Sequence, residues 1–326
     1  MWQHRAPDPD VDVERLDSLI NRAFGEARDA KLEATFGLGI VHRGNVVAER
    51  YGPTTDAATP LISWSMGKSV TQALVGCLVA DGKLVLDDPA PVDAWANGDR
   101  SEITLRHLLT MTSGLRFVED YVDDQASDVI EMLFGAGQPD TASYAANQPL
   151  SHPPGTVFNY SSGTTNIVSR ICSDAIGGGE AATRDYLTER IFAPLGMTSA
   201  DPRFDDAGTF IGSSFLYATV QDFLRFGYLY LRDGVWNGHQ ILPEGWAKEA
   251  SIPVGVDVPE DFGYGSHWWL WADPVGGFGA HGYEGQYIVV VPDQDLVINR
   301  LGKTPAERKL FVTSWISELA KCFPSK

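Results

Sequence analysis

The sequence predicts an α+β fold in which both ends of the chain build one sheet, with a mostly helical region inserted between them. Three observations carry this. Strand-like runs near the N-terminus give way to helical periodicity, residues 84–253 read as helices and irregular loops, and strand character returns near the C-terminus. The domain division expected from this pattern is a sheet domain from residues 1–83 and 254–326, with an inserted helical domain over 84–253.

Taken in order, Asp10 and Asp12 precede Leu16, Leu19, Ile20, Ala23 and Phe24, the spacing of an N-capped amphipathic helix. The period then changes, and residues 36–41 and 46–51 read as a hairpin turned by residues 42–45. Next, Val70, Ala73, Leu74, Cys77 and Leu78 recur at helical spacing, in a helix that begins near Ser63 or Ser65 and stops at Gly82. Within the insertion, Thr104 caps a helix over 105–111 that Gly114 terminates, and further helices fit 164–175, 181–195 and 220–231. Residues 268–272, 286–292 and 296–301 are rich in aromatic and β-branched residues and read as strands, and 305–320 closes the chain as a helix.

With 326 residues, 44% of them hydrophobic, the chain can bury a sizeable core. Its formal charge of −18, from 25 basic and 43 acidic residues, repels phosphate backbones and anionic membrane surfaces, which argues against both as partners. Cys77, Cys172 and Cys322 are widely spaced without a Cys-x-x-Cys pair, so no disulfide framework is expected, and the first two read as small core hydrophobes. His42, His107, His152, His239 and His267 lack metal-ligand spacing, and neither a metal nor an organic cofactor is expected. The first 30 residues contain no signal-like apolar run, and no apolar run reaches membrane-spanning length, so the expected location is cytoplasmic.

Chemistry concentrates at Ser65-Met66-Gly67-Lys68, at the start of the apolar-periodic segment. Residues three apart on a helix share a face, which places a hydroxyl nucleophile beside an amine. The first turn also gathers unpaired N–H groups and the positive dipole end, which favour negative charge developing on a substrate oxygen. Burial would help the amine lose its proton. Taken alone, the motif also describes a solvent-facing Ser and Lys on an amphipathic helix. Gly67-Lys68-Ser69 mimics the end of a phosphate-binding loop, but Ile62 stands where that motif needs glycine.

Three further stretches matter together: Phe158-Asn159-Tyr160-Ser161-Ser162-Gly163, Ala280-His281-Gly282-Tyr283-Glu284-Gly285-Gln286, and residues 103–115 with their Leu-Arg-His-Leu-Leu-Thr-Met-Thr-Ser-Gly run. With these, the chain resembles the serine β-lactamase and penicillin-binding-protein superfamily. More narrowly, it is similar to the class C β-lactamase-like branch that includes esterases, D-aminopeptidases and 6-aminohexanoate-dimer hydrolases. The likeness extends over about residues 36–303 and implies a β-lactamase-like fold, an antiparallel sheet flanked by helices with the helical insertion. It also implies roles. Ser65 would be the acylated nucleophile, Lys68 its base partner and Tyr160 the proton relay to the leaving group, with the amides of Ser65 and of Tyr283 on the strand as oxyanion donors.

Two positions depart from the family pattern. Ser162 stands where the lactamases usually carry Asn, and Ala280 stands where Lys or His is usual when Gly282 is aligned on the family glycine. Losing that cation weakens recognition of a β-lactam carboxylate and leaves the acylation apparatus in place. The run over 282–286 followed by Tyr-Ile-Val-Val-Val-Pro is similar to the 6-aminohexanoate-dimer hydrolase and esterase side of the branch.

Other candidates keep two readings. Residues 119–128 are acidic with one aromatic, so Tyr121, Asp123 or Asp124 either meets an amine-bearing substrate end or belongs to a solvated acidic loop. His281 lines the site beside Tyr283 or packs under the strand. Trp268 and Trp269, adjacent on a strand, point to opposite faces, so one can wall an apolar acyl pocket while the other is core. The expected activity is hydrolysis of small-molecule carboxylic esters through an acyl-enzyme. Amide hydrolysis of the 6-aminohexanoate-dimer type comes next, then β-lactamase or D-peptidase activity. The rival from another class is a non-catalytic ligand-binding module, which would be labelled without turnover.

Overall fold

The computed structural model describes residues 2–25, 28–120, 127–272 and 275–326. At the N-terminal end β1 (Ala34–His42) and β2 (Asn45–Tyr51) pair antiparallel with His42 opposite Asn45. The turn is therefore only Arg43 and Gly44, at φ 47° and 77°, shorter than the connection expected over 42–45. Positive φ at both turn residues matches the right-handed twist of the flanking strands. Five strands come from the other end: β3 (Gly263–Tyr264), β4 (Trp269–Trp271), β5 (Gly277–Gly282), β6 (Gln286–Val291) and β7 (Leu296–Lys303).

These make one seven-stranded sheet in the order β2-β1-β7-β6-β5-β4-β3, antiparallel at every pairing. The β1–β7 pairing, from Ala34↔Lys303 to His42↔Leu296, is the seam that joins the two ends of the chain. The α+β class expected from the sequence, an antiparallel sheet built from both chain ends and flanked by helices, is what the chain adopts. Strand β5, Gly-Phe-Gly-Ala-His-Gly, escaped the propensity reading because glycine disfavours strands. Its pairing with β4 and β6 holds it in place.

Five helices position the rest: α1 (Val13–Phe24), α2 (Gly67–Ala80), α3 (Ser162–Ile176), α4 (Val220–Leu231) and α5 (Lys309–Ala320). The sheet is covered on both faces. Tyr287, Val289, Val291, Leu296 and Ile298 join a core with α1 and α5, while the alternate residues Ile288, Val290 and Val297 join a larger core with α2 and α4. This period of two explains why β6 reads as an unbroken apolar run, since neither face meets water. Helix α4 lies within 84–253 yet packs on β1, β6 and β7, so the sheet draws a cover helix from the middle of the chain.

Local boundaries differ from expectation where backbone conformation intervenes. The helix capped by Thr104 ends at Leu109, because Met111 takes φ 58°. The segment expected over 181–195 is helical but contains a π-turn at Thr188–Phe192. The final helix starts at Lys309, after a 3₁₀ turn at Ala306–Arg308. All three cysteines are buried and free. Among the described residues no helix is long and apolar enough to cross a membrane, and no cluster of three or more His, Cys, Asp or Glu side chains forms a metal site.

Candidate active site

Ser65 sits in a 3₁₀ turn, Trp64–Met66, that runs directly into α2. Helix α2 is buried along its length from Gly67 to Leu78, and Lys68 with it is 1% exposed. Trp64, immediately before the serine, has φ 45°, a conformation that a bulky residue holds only when its surroundings impose it. Its ring is fixed between Phe215 at 5.9 Å and Tyr283 at 5.7 Å.

Lys68 Nζ is the hub. It donates to Ser65 Oγ at 2.9 Å, to Ser162 Oγ at 2.9 Å and to the Ser213 carbonyl at 3.0 Å. Burial lowers its pKa to about 8, against a smaller upward pull from the Glu119 carboxylate. Ser162 opens α3, where Ser161 is the N-cap and accepts from the Thr164 N–H. Glu119 faces that helix start, accepting from the Ser162 N–H at 2.7 Å and from the Ser162 hydroxyl. The result is a chain of donors from Lys68 through Ser162 to Glu119.

Tyr160 lies just before this helix start, with Lys68 Nζ 4.9 Å from its ring centre. Burial, reinforced by the Glu119 charge, pushes its pKa far above the ordinary phenol value, against a smaller downward pull from Ser65 and Trp269. It is therefore protonated at neutral pH, fit to give a proton and not to take one. Strand β5 ends opposite, against the Ser65 turn. A Cβ on Gly282 would lie 2.4 Å from the Ser63 carbonyl oxygen, so only glycine allows this approach. Tyr283 follows in a 3₁₀ turn, Tyr283–Gly285, and not on the strand where the sequence reading placed it.

A cavity of about 220 Å³ opens here, with Ser65, Tyr160, Trp269, His281 and Tyr283 in its walls. Trp269 stacks on His281 at 5.6 Å and meets Tyr160 at 5.1 Å. Trp268 is fully buried instead, 4.4 Å from Tyr230 and 6.2 Å from Phe226, and has no place in the cavity. His281 lines the cavity, and its Nε2 accepts from Trp271 Nε1 at 2.8 Å. Burial holds its pKa well below the ordinary histidine value, so the ring is neutral.

The structure thus brings together Ser65, Lys68, Tyr160, Ser162, His281, Gly282, Tyr283 and Trp269, and leaves Trp268 in the core. Tyr121, Asp123 and Asp124 lie outside the described residues. Glu119, Glu260, Glu284 and Lys309 also line the cavity and were not singled out from sequence. Only the acidity of residues 119–128 hinted at the first of them.

Comparison with known proteins places this arrangement in context. The family model described as Beta-lactamase matches residues 20–313. A 6-aminohexanoate-dimer hydrolase of Paenarthrobacter ureafaciens is 25% identical over 319 residues, covering 91% of this chain and 80% of that protein. Esterase EstB of Burkholderia gladioli is 29% identical over 218 residues, covering 58% of this chain and 52% of that protein. Two solved structures share the fold. A Bacillus anthracis protein named as a candidate 6-aminohexanoate-dimer hydrolase has a TM-score of 0.78 at 23% identity, covering 98% of this chain and 87% of that one. A penicillin-binding protein of Bacillus halodurans has a TM-score of 0.71 at 17% identity, covering 93% and 99%.

Proposed function

The chain belongs to the β-lactamase family and is a serine hydrolase, and on that premise we propose that it forms an acyl-enzyme on Ser65 and hydrolyses small carboxylic esters. The observation that carries this reading is the buried Lys68 amine, 2.9 Å from Ser65 Oγ with its pKa brought down to about 8. An amine so placed is neutral in an appreciable fraction near neutral pH and can accept the serine proton as Oγ attacks the acyl carbon. The negative charge then developing on the acyl oxygen would be met by the Ser65 and Tyr283 N–H groups. Donors of this kind are worth on the order of 10²–10³ in rate each.

Collapse of the tetrahedral adduct breaks the bond to the leaving alcohol, which takes the Tyr160 proton, and the proton held by Lys68 restores the phenol. Water then attacks the acyl-serine and gives its proton to the neutral Lys68 amine, and collapse of that second adduct returns the proton to Ser65 Oγ as the acid leaves. Glu119 steadies Lys68 while it is charged, through Ser162, whose hydroxyl accepts from the amine and donates to the carboxylate. Ser162, which stands where the lactamases usually carry Asn, thus contacts the lysine directly. With Ala280 in place of a cation, β-lactam recognition is the weakest of the candidate activities.

A second reading, hydrolysis of a linear amide resembling the 6-aminohexanoate dimer, draws on the relative of that name, which covers 91% of this chain. The test is turnover of p-nitrophenyl butyrate, 6-aminohexanoate dimer and nitrocefin in parallel by wild type and Ser65→Ala. Ester turnover that Ser65→Ala abolishes is expected. Preference for the dimer would select the second reading. A stable adduct on Ser65 without release would indicate a binding module.

A further inference from the structure

The turn that carries Tyr283 is held from beneath at all three of its carbonyls. Gln286 Nε2 donates to the Tyr283 carbonyl at 2.9 Å, and Arg300 Nη1 donates to those of Glu284 at 3.2 Å and Gly285 at 2.7 Å. Both side chains are buried, Arg300 at 0% and Gln286 at 2% exposure. Each is anchored on its other side as well. Gln286 Nε2 donates to the Gly302 carbonyl at 2.6 Å and its Oε1 accepts from the Gly302 N–H at 2.8 Å. Arg300 Nη2 donates to the Leu32 carbonyl at 3.0 Å and to Thr304 Oγ1 at 2.8 Å.

Among the described residues the hydrogen-bond partners of Arg300 are all uncharged oxygens. A buried cation without a carboxylate is expensive unless dipoles are fixed around it, so here the carbonyls and the guanidinium lock one another. The turn needs such a lock. Glu284 is at φ 60°, a left-handed conformation that a non-glycine residue holds only when its surroundings impose it, and Gly285 follows at φ 83°. The packing is close enough that a Cβ on Gly285 would lie 2.5 Å from Arg300 Nη1.

We propose that Arg300 and Gln286 are positioning residues that aim the Tyr283 N–H at the substrate oxygen by fixing the three carbonyls of its turn. This rests on the reading of Tyr283 as an oxyanion donor. Neither residue touches substrate. A donor that must meet charge developing only in the transition state loses its value when its direction is no longer fixed, while ground-state binding is little changed. The planar fork of Arg300 spans two carbonyls at once, which a lysine point charge cannot do.

The experiment compares Arg300→Met, Arg300→Lys, Gln286→Met, Thr35→Val and Ser65→Ala on p-nitrophenyl butyrate, together with the rate at which a fluorophosphonate probe phosphonylates Ser65. In that labelling Ser65 Oγ bonds to phosphorus as fluoride leaves, and the serine proton passes to Lys68. For the Arg300 and Gln286 variants, kcat and the labelling rate should fall about 10–100-fold, with KM within about threefold and the acid limb of the pH profile unmoved. Thr35→Val removes an outer partner of Arg300, 3.3 Å from Nη2, and should lower Tm with kcat kept. If Arg300→Met does not fold, Gln286→Met decides alone.

Variants that lose Tm but keep kcat and labelling rate, or an Arg300→Lys enzyme as fast as wild type, would overturn the proposal. Turnover that survives Ser65→Ala would instead overturn the acyl-enzyme reading beneath it, and the positioning claim with it.

Discussion

The Lys68 amine lies 2.9 Å from the Ser162 hydroxyl, and that hydroxyl donates in turn to Glu119. A carboxylate is thus coupled to the amine through one neutral group and not by direct contact. Direct pairing would favour the charged lysine more strongly, whereas here burial prevails and the pKa falls to about 8. The intervening serine passes on the carboxylate's pull without pinning the amine in its charged form.

The pH dependence follows. A base acts in its neutral form, so kcat/KM should rise with pH through an apparent pKa of about 8 and level off above it. Glu119→Gln removes the attraction that favours the cation, so its limb should move to lower pH. A limb unmoved in that variant would refute the coupling. Stability changes in the same window. The folded pKa lies below the value of about 10.4 for an unfolded lysine, so the cost of burying the cation is fully present below pH 8. It is relieved as pH rises from about 8 to about 10.4. Thermal unfolding of wild type against Lys68→Met should therefore shift in favour of wild type across that interval.

Tyr160 is kept protonated by burial, and Tyr160→Phe takes away the proposed donor to the leaving group. We expect kcat to fall by roughly 10²–10⁴ with the limb near pH 8 retained. Disappearance of that limb in pH–rate measurements would make the tyrosine, and not the lysine, the titrating group.

Gly282→Ala tests the approach of β5 to the turn that carries Ser65. The added methyl would meet the Ser63 carbonyl oxygen at 2.4 Å and must push strand and turn apart. A loss of about 1–3 kcal/mol in chemical denaturation is expected from such overpacking. A fall of about 10² in kcat should accompany it, because the displaced groups carry both proposed oxyanion donors. Full activity would show that the strand end plays no part in the chemistry.

The two tryptophans should separate cleanly. Trp268→Ala empties a core site beside Tyr230, Phe226 and Phe278 and should cost about 3–5 kcal/mol of stability with acyl-chain preference unaltered. Trp269→Ala should change that preference, read as kcat/KM across p-nitrophenyl esters of increasing chain length. Equal preference profiles for wild type and Trp269→Ala would remove Trp269 from the acyl pocket.

Much of the fold was legible in the chain because it is written at short range. Asp12 caps α1, the period changes from helix to strand at β1, and α4 runs over the residues its apolar spacing marks. Strand β5 was legible only through the family resemblance and not from propensity, since its glycines are there for close approach and carry no β signal. The same contrast holds at the site. The three-residue spacing of Ser65 and Lys68 by itself places both side chains on one face of a helical turn.

What the sequence alone determined is therefore the class of the fold, the pairing of a serine with a lysine, and the tyrosine before α3. Each depends on neighbours within about one helical turn or on a motif. Only the tertiary structure decided that Glu119 meets Ser162, that the Ser213 carbonyl completes the lysine site, that Trp269 and not Trp268 faces the cavity, and that Arg300 lies beneath the Tyr283 turn. Those contacts join residues distant in sequence. Where such residues meet is set by how the sheet and helices pack as a whole, to which each residue's local preference contributes only a small part.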